Sequence, residues 1–335
     1  MKNHPMRWGI AGYGWVARDY MAPGIRAAGG IVSAVCDPSA EARARAEANG
    51  ARAYGELSAM LDAGGLDALY IATPNHLHAE TVERAADAGL PILCEKPLAQ
   101  NAEALERIAA VATRKGVRMA TAFDQRHHPA HELIRQRIAD GNLGTVTAIR
   151  IVYCCWVDPH WSRGASDNWR ANRACAGGGA LLDLAPHGLD LAQFLIGEPV
   201  EELSMVVQRR IHDYPVEDGG MTTGITPSGV LFSSHTSYNW PEEFPRRRLE
   251  VAGTDAMIVA SDTMGQDADG HATRIDAKDG SQETLEFDTH TTPFTRQAAA
   301  FARFAAGEPG GFDIRRDIEA ARAFFTAFAG ARQCP

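Results

Sequence analysis

The chain has 335 residues, of which 45% are hydrophobic, and a formal net charge of −9. This length and apolar content suffice for two packed domains, whereas the negative charge argues against nucleic acid and anionic membranes as partners. No apolar stretch reaches membrane-spanning length, and the first five residues leave no room for a signal peptide before the first predicted strand. The six cysteines lack Cys-x-x-Cys spacing, which favours reduced core thiols and a cytoplasmic location.

A glycine-rich turn near the amino terminus predicts a dinucleotide-binding site. Residues 7–11 read as a buried strand, and Gly12-x-Gly14-x-x-Ala17 follows directly. Gly12 permits the tight turn, Gly14 lets the backbone approach a pyrophosphate, and Ala17 lets the next helix pack on the sheet. The N–H groups at the start of that helix would face the phosphates. The cofactor contacts predicted in this turn are Gly12, Gly14, Trp15 and Val16.

Asp37 ends the second predicted strand, residues 31–36. It lies about twenty residues beyond the glycine turn, where an acid accepts hydrogen bonds from a ribose 2'-hydroxyl. Its carboxylate would repel a 2'-phosphate, and no arginine follows before Arg43, so NAD is favoured over NADP. The alternative is that Asp37 only caps the next helix. Because Ser39 can provide that cap alone, we expect Asp37 to be free for the ribose.

Strands and helices alternate through the first third of the chain, which predicts a doubly wound parallel sheet. The fourth strand, 69–72, is closed by Thr73-Pro74-Asn75-His76, and the fifth, 91–94, leads into Glu95-Lys96-Pro97. Parallel sheets place functional groups at the carboxyl ends of their strands, so Lys96 is predicted to face a ligand. The alternative is a lysine that merely reaches solvent. The remaining predicted strands are 51–53 and 117–122, and the helices are 18–28, 40–49, 57–63, one ending at Ala88, and 101–115.

The second part of the chain predicts a different architecture, because a run of strands replaces the alternation from about Thr145. This pattern is typical of a separate α+β domain. The predicted domains are residues 1–123 and 124–335. The predicted strands are 146–156, 201–210, 221–226, 229–238, 249–252, 257–260 and 283–287, with terminal helices at 293–306 and 313–329.

Asp183, His187 and Asp190 are spaced so that a helix would present them on one face. A histidine with a carboxylate one turn away can be held in one orientation and can take a proton. The alternative is a helix cap or a buried ion pair built from the same residues. Pro186 removes a helix hydrogen bond and is predicted to bend the segment.

Tryptophans and arginines crowd residues 156–173, where stacking faces and fixed guanidinium donors suit a sugar or polyol. Ordinary packing of the tryptophans is the alternative. His76-x-His78 and His127-His128 have no matching carboxylate or thiolate set, so no metal site is predicted.

Several of these patterns together resemble the Gfo/Idh/MocA oxidoreductases. The glycine turn, Ala72-Thr73-Pro74-Asn75-x-x-His78, Glu95-Lys96-Pro97 and Gly177-Gly178-Gly179-x-Leu181-x-Asp183-x-x-x-His187-x-x-Asp190 occur in the order typical of that family. The resemblance covers nearly the whole chain. It implies an α/β protein with an amino-terminal Rossmann domain, a carboxyl-terminal α+β domain with a large open-faced, mostly antiparallel sheet, and NAD(P) in the cleft between them.

The resemblance also implies roles for individual residues. Lys96, Asp183 and His187 would be catalytic, the Lys96–Pro97 bond is often cis, and the last helix returns to the Rossmann domain. A homodimer or homotetramer through the carboxyl-terminal sheet is expected. The further cofactor contacts are Thr73, Pro74, Asn75, His78, Glu95, Lys96, Trp169 and Arg170, and the substrate contacts are Lys96, Arg163, Asp183, His187 and Asp190.

The resulting hypothesis is an NAD-dependent dehydrogenase that oxidises a secondary hydroxyl of a sugar, cyclitol or related polyol. Lys96 would hydrogen-bond the reacting oxygen, and His187 would take its proton. One alternative is an enzyme that retains its NAD and uses transient oxidation to drive elimination or glycoside hydrolysis. A second is a non-catalytic cofactor-binding regulator, which would not need the proton-transfer residues.

Overall fold

The computed structural model describes residues 4–158, 168–309 and 311–334. The chain divides into two compact units beside Phe123. The first unit holds the chain up to Ala122 together with Phe294–Glu319, and the second holds Phe123–Pro293 and the residues from Ala320 onward. The resemblance implied that the last helix joins the first domain, whereas the division falls inside that helix, after Glu319.

The first unit contains the predicted parallel sheet of six strands, which confirms the doubly wound arrangement. Its order is β3-β2-β1-β4-β5-β6, and every neighbouring pair is parallel. The central strands are almost wholly apolar because helices cover both faces of such a sheet. The strands are β1 (Arg7–Ala11), β2 (Ile31–Cys36), β3 (Arg52–Tyr54), β4 (Ala68–Ile71), β5 (Ile92–Cys94) and β6 (Met119–Thr121).

The helices of this unit pack their apolar faces on the sheet. The helix predicted from Arg18 begins as a π-helical turn, Ala17–Met21, and continues as α1 (Ala22–Ala27). Phe301, from a helix far along the chain, lies with its ring centroid 5.3 Å from that of Trp8 in β1, and both are buried. The helices are α1, α2 (Ala40–Ala48), α3 (Leu57–Asp62), α4 (His78–Asp87), α5 (Ala102–Lys115) and, numbered in chain order, α9 (Pro293–Ala306).

The second unit contains a sheet of nine strands in the order β14-β13-β12-β11-β7-β10-β9-β8-β15. The β7–β10 and β8–β15 pairs are parallel and the other neighbours are antiparallel, so the predicted mostly antiparallel sheet is confirmed. Two strands, β13 and β15, were not predicted from the sequence. The strands are β7 (Val146–Cys154), β8 (Glu201–Gln208), β9 (Gly219–Ile225), β10 (Leu231–Ser237), β11 (Arg247–Gly253), β12 (Ala256–Ser261), β13 (His271–Asp276), β14 (Gln282–Leu285) and β15 (Arg332–Cys334).

One long buried helix, α8 (Ala180–Ile196), packs on this sheet and carries the predicted catalytic face. A Cβ at Gly188 would lie 2.9 Å from Ser234 Oγ, which shows how closely α8 approaches β10. Leu181, Leu191 and the sheet residue Ile151 belong to one apolar core. The other helices are α6 (Pro129–Ala139), which was not predicted, α7 (Arg173–Ala176) and α10 (Ile314–Ala329).

Among the helices of the described residues, we find none whose length and apolar character would let it cross a bilayer.

Candidate active site

Register brings the predicted cofactor loops to one edge of the first sheet. Ala11 of β1 pairs with Cys36 of β2 and with Ile71 of β4, and Ile71 pairs with Cys94 of β5. These four residues end their strands or directly precede the loops that follow them. The carboxyl edge of an open parallel sheet is where ligands bind. The sheet therefore aligns the glycine turn, Asp37, the Thr73 loop and the Glu95-Lys96 pair in one row.

Two glycines in the first of these loops meet different constraints. Gly12 has a φ of +85°, and a Cβ there would lie 2.5 Å from the carbonyl oxygen of Ala72, so the fold itself requires glycine. Gly14 is exposed, and among the described residues other than its two chain neighbours no atom lies within 4 Å of the position its Cβ would take. This open space beside the backbone fits a pyrophosphate. Trp15 and Val16, the other predicted contacts in this turn, are half-buried.

The Asp37 carboxylate accepts more hydrogen bonds from the protein than we expected. Its Oδ2 accepts a hydrogen bond from the N–H of Tyr13 at 2.8 Å, and its Oδ1 accepts one from the N–H of Ser39 at 2.8 Å. Ser39 caps α2 as predicted, accepting from the N–H of Ala42. The expectation that this cap leaves Asp37 free was wrong, because the carboxylate also fixes the glycine turn. Each oxygen keeps a second lone pair, so the side chain can still accept from a ribose hydroxyl.

Arg43 places a positive charge beside the predicted ribose position. Its Nη1 donates to the carbonyl oxygens of Asp37 and Pro38, at 2.9 and 2.8 Å. A guanidinium near this loop attracts a 2'-phosphate, which opposes the repulsion by the Asp37 carboxylate.

His78 is fully buried, so the expectation that its side chain contacts the cofactor was wrong. Its Nδ1 lies 3.0 Å from the carbonyl oxygen of Pro97, and its Nε2 lies 2.9 Å from that of Thr73. Burial lowers the pKa of His78, although the carbonyl contacts oppose that change. The imidazole therefore joins the Thr73 loop to the turn that contains Lys96. Among the other predicted contacts in the Thr73 loop, Thr73 and Pro74 are half-buried and Asn75 is buried.

Lys96 follows β5 and precedes a cis peptide bond to Pro97, as the resemblance implied. The side chains of Lys96 and Glu95 are half-buried. Glu95 accepts a hydrogen bond from the Tyr70 hydroxyl and, at 3.3 Å, from the N–H of Lys96. Glu95 is thus held against β4, with Lys96 beside it at the sheet edge.

In the second unit, α8 begins at the triple-glycine segment, where a buried carboxylate caps it. Oε1 of Glu217 accepts from the N–H groups of Gly179 and Leu181, at 2.7 and 3.3 Å. A Cβ at Gly179 would lie only 2.0 Å from the carbonyl oxygen of Glu217, which explains the glycine. The helix then runs through Pro186 as one element.

The two catalytic candidates on α8 have different partners. Oδ2 of Asp183 accepts from the hydroxyl of Tyr238 at 2.7 Å. Burial, followed by the charge of Asp183, raises the pKa of Tyr238 well above its usual value. Nδ1 of His187 lies 3.5 Å from Oδ1 of Asp124, and both side chains are less than 10% exposed. Asp124 and Tyr238 were not predicted as site residues, because each is more than fifty residues away in sequence from the helix residue that it contacts.

Asp190 does not present its carboxylate as expected. Both oxygens accept from Nε of Arg126, at 3.0 and 2.8 Å, and Oδ1 also accepts from Nη2. Both side chains are almost fully buried. This is the buried ion pair that the sequence left open as the alternative, and it fixes α8 rather than a substrate.

The aromatic segment is described only in part. Trp169 and Arg170 lie in a short 3₁₀ turn, with the guanidinium carbon 4.5 Å from the centroid of the Trp169 ring, and both are half-buried. Arg163, the predicted substrate contact, lies outside the described residues. In the part of the chain that the structure describes, no group of three or more His, Cys, Asp or Glu side chains could hold a metal ion.

Family models match both parts of the chain. Residues 6–123 match the oxidoreductase family with an NAD-binding Rossmann fold, and residues 131–259 match the GFO/IDH/MocA carboxyl-terminal domain. A 1,5-anhydro-D-fructose reductase of Ensifer adhaerens is 30% identical over 331 residues, which are 96% of this chain and 97% of the relative.

Two kinds of solved structure share the whole fold. A levoglucosan dehydrogenase in complex with NADH and levoglucosan has a TM-score of 0.84 at 22% identity, over 98% of each chain. A 3-ketoreductase from Actinomadura kijaniata, in complex with NADP and TDP-benzene, has a TM-score of 0.83 at 23% identity, over 98% of this chain and 99% of that one. These similarities show that the fold of each unit is shared with solved structures. The chain belongs to the GFO/IDH/MocA family of NAD(P)-dependent oxidoreductases.

Proposed function

We propose that this enzyme transfers a hydride between a secondary hydroxyl of a sugar, cyclitol or related polyol and the nicotinamide of NAD. The observation that carries the proposal is the alignment of Lys96 with the glycine turn at one edge of the first sheet. A lysine beside a dinucleotide-binding loop suits polarisation of an oxygen that loses or gains a hydride. The relatives reported above carry the names of sugar reductases and dehydrogenases, which supports this class rather than elimination or regulation.

The residues around the sheet edge fit the cofactor. Gly12 and Gly14 would accommodate the pyrophosphate, Asp37 would accept from the ribose, and the Thr73 loop would border the nicotinamide half. When bound, the nicotinamide supplies the hydride acceptor. We favour NAD because the Asp37 carboxylate opposes a 2'-phosphate, while Arg43 makes that preference moderate.

The protein's own groups would divide the proton transfer. Lys96 hydrogen-bonds the reacting oxygen and stabilises negative charge that develops on it. His187 accepts the hydroxyl proton as the hydride leaves the carbon, and Asp183 would help to hold the substrate. Asp183 is half-buried and already anchored by Tyr238, so its second oxygen is held in a defined place.

The remaining predicted contacts support the proposed substrate class. Trp169 offers an aromatic face to sugar C–H groups, and Arg170 offers fixed donors to hydroxyl or carboxylate oxygens. The Arg170 guanidinium lies over the Trp169 ring, with its carbon 4.5 Å from the ring centroid, so the two side chains are adjacent.

A screen of NAD reduction with sugars, sugar acids and cyclitols tests the proposal. We expect at least one substrate to yield NADH in proportion to its oxidised product, and Lys96→Met to abolish that yield. Lys278→Met, which alters an exposed lysine, is the matched control. Product formation without NADH would replace the proposal with transient oxidation. Oxidation at wild-type rates by Lys96→Met would contradict the assigned site.

Two further features are part of the proposal. The reduced cysteines favour the cytoplasm. We also propose a homodimer or homotetramer through the second sheet, where exposed Val206 and Met221 lie opposite each other on β8 and β9. Light scattering of the purified enzyme measures the oligomer. A monomer at micromolar concentration would exclude the proposed assembly.

A further inference from the structure

A short 3₁₀ turn, Asp124–His127, contacts α8 through two charged side chains. Asp124 lies 3.5 Å from His187, and Arg126 forms the buried pair with Asp190. His187 and Asp190 are three residues apart and therefore share a face of α8. One turn thus contacts both the predicted base and its neighbour on the same helix face.

We propose that Asp124 is a positioning residue that fixes the proton on Nδ1 of His187. A carboxylate beside Nδ1 accepts its N–H, which leaves Nε2 as the nitrogen without a proton. This assignment rests on the proposed function. The Nε2 atom of His187 then takes the substrate proton, the Nδ1 atom keeps its own proton, and Asp124 stays ionised. The 3.5 Å separation is longer than a typical hydrogen bond, as catalytic contacts often are in structures without substrate, and it still lets the carboxylate favour a proton on Nδ1.

The turn is held rigidly enough for this role. Oδ2 of Asp124 accepts from Nε2 of Gln125 at 2.9 Å, and that amide also donates to the carbonyl oxygen of Gly265. The ion pair between Arg126 and Asp190 fastens the same turn to α8. Asp124 is 6% exposed, so water competes little for its carboxylate.

The imidazole is equally confined. The ring of Tyr153, from β7, meets it edge-on with centroids 5.3 Å apart, and that of Phe123 does so at 6.5 Å. His187 is 5% exposed. These rings leave the imidazole little freedom to turn over, so the tautomer and not only the orientation would be set by Asp124.

Other titratable groups near His187 also influence its protonation. Asp183 lies one turn earlier on α8 and is bound by Tyr238, and Tyr153 faces the ring from β7. Arg126 is neutralised by Asp190. Burial raises the pKa of Tyr153, and the positive charge of Arg247, on β11, opposes that rise. Asp124 and Asp183 both favour a charged imidazole, so removing Asp124 should weaken that preference without abolishing it.

Nitrogen NMR of the imidazole in the purified enzyme tests the proposal without any substrate, with the His187 signal assigned by its loss in His187→Ala. We expect neutral His187 to carry its proton on Nδ1. In Asp124→Asn the titration should move to lower pH by about one pH unit, since an opposite charge at this distance favours the protonated ring. A wild-type ring protonated on Nε2, or a titration unchanged in Asp124→Asn, would overturn the proposal.

Kinetics provide the second readout on a verified substrate. Asp124→Asn should lower the turnover number by roughly 10- to 100-fold, which is part of what a general base contributes. It should also move the acidic limb of the curve of oxidation rate against pH to lower pH. Asp124→Glu should restore part of the turnover number and return the acidic limb part of the way to its wild-type position. Asp218→Asn, which alters another buried carboxylate, one bound by three backbone N–H groups, should leave the limb in place.

The two proposals fail differently. If no substrate is oxidised while the Nδ1 tautomer and its dependence on Asp124 are observed, the proposed function is wrong and the positioning role stands. If sugars are oxidised but the acidic limb of Asp124→Asn matches that of the wild type, the positioning role is wrong and the function stands.

Discussion

The Nε2 atom of His78 lies 2.9 Å from the carbonyl oxygen of Thr73, and the opposite side of the same ring contacts the carbonyl oxygen of Pro97. Because the ring is fully buried, it acts between two loops of the first sheet and not on a ligand. A buried carbonyl group that loses its donor carries the cost of its desolvation.

Replacement of His78 therefore separates a structural role from a cofactor contact. His78→Phe keeps a ring of similar size but removes both polar contacts. We expect the free energy of unfolding to fall by about 1–3 kcal/mol in urea titrations. His290 is exposed, so His290→Phe should leave the free energy of unfolding unchanged. Loss of NADH affinity at full stability would show instead that the His78 ring binds the cofactor.

We expect the preference between NADH and NADPH to depend on two opposed charges, the Asp37 carboxylate after β2 and the Arg43 guanidinium on α2. We expect wild-type enzyme to bind NADH more tightly than NADPH by roughly 1–3 kcal/mol, the cost of a phosphate beside an imperfectly paired carboxylate. Arg43→Ala should widen the difference, and Asp37→Ser should narrow it. Fluorescence titrations with both cofactors measure these changes. Equal affinities in the wild type would contradict the choice of NAD.

Asp37→Ser should also loosen the glycine turn, because the Tyr13 N–H loses its acceptor. A lower melting temperature in the absence of cofactor is therefore expected for Asp37→Ser and not for exposed Asp269→Ser.

The two glycines of the turn provide a matched pair. Gly12→Ala places a Cβ against the Ala72 carbonyl at a positive φ, so it should destabilise the protein as well as weaken cofactor binding. Gly14→Val meets open space within the protein, so it should keep the wild-type melting temperature while NADH affinity falls. Normal NADH binding by Gly14→Val would show that the pyrophosphate does not approach this residue.

Local sequence patterns predicted most of the helices and strands, whereas contacts between side chains far apart in sequence were not predictable. The glycine turn, the strand ends and the face of α8 depend on spacing within a few residues, so the sequence was sufficient for them. The pairings of Asp124 with His187 and Tyr238 with Asp183 join residues 63 and 55 positions apart, for which no local signal exists. Asp37 and His78 were identified as polar residues in the right loops, but their partners are backbone groups that only the folded chain supplies.

The elements β13, β15, α6 and α7 were not predicted, and two of them show why local patterns were insufficient. β13 has the sequence His-Ala-Thr-Arg-Ile-Asp, whose apolar side chains are too few to predict a strand. Its ladders with β12 and β14 supply the stabilisation. α6 begins at Pro129, and the side chain of His128, a residue considered only as a metal ligand, caps it.

The stability of α8 should depend on pH through Glu217. Burial raises its pKa above the usual 4.5, although the N–H groups of Gly179 and Leu181 oppose the shift. The folded state therefore holds the proton more firmly than the unfolded chain. This contribution to stability is fully present below pH 4.5 and is lost as the pH rises through the folded pKa.

Glu217→Gln keeps an acceptor for the helix but cannot ionise. Its stability should therefore not decrease as the pH rises through the folded-state pKa of Glu217. We expect the stability of Glu217→Gln relative to wild type to increase between pH 4.5 and neutrality, measured by denaturant unfolding at each pH. Exposed Glu286→Gln should show no such trend. A constant difference between Glu217→Gln and wild type would mean that Glu217 stays ionised in the folded protein.

Lys96 and His187 are assigned different parts of one proton transfer, which allows their roles to be separated. Lys96→Met keeps the length of the side chain but removes its charge, so turnover should fall by orders of magnitude while NADH still binds. His187→Ala should lose a typical general-base contribution of 10²–10⁴-fold, and the acidic limb of sugar oxidation should vanish. Added imidazole or other buffer bases should then restore part of the rate in His187→Ala but not in Lys96→Met. If the limb instead persists in His187→Ala and disappears in Lys96→Met, the lysine is the base and the histidine only orients the substrate.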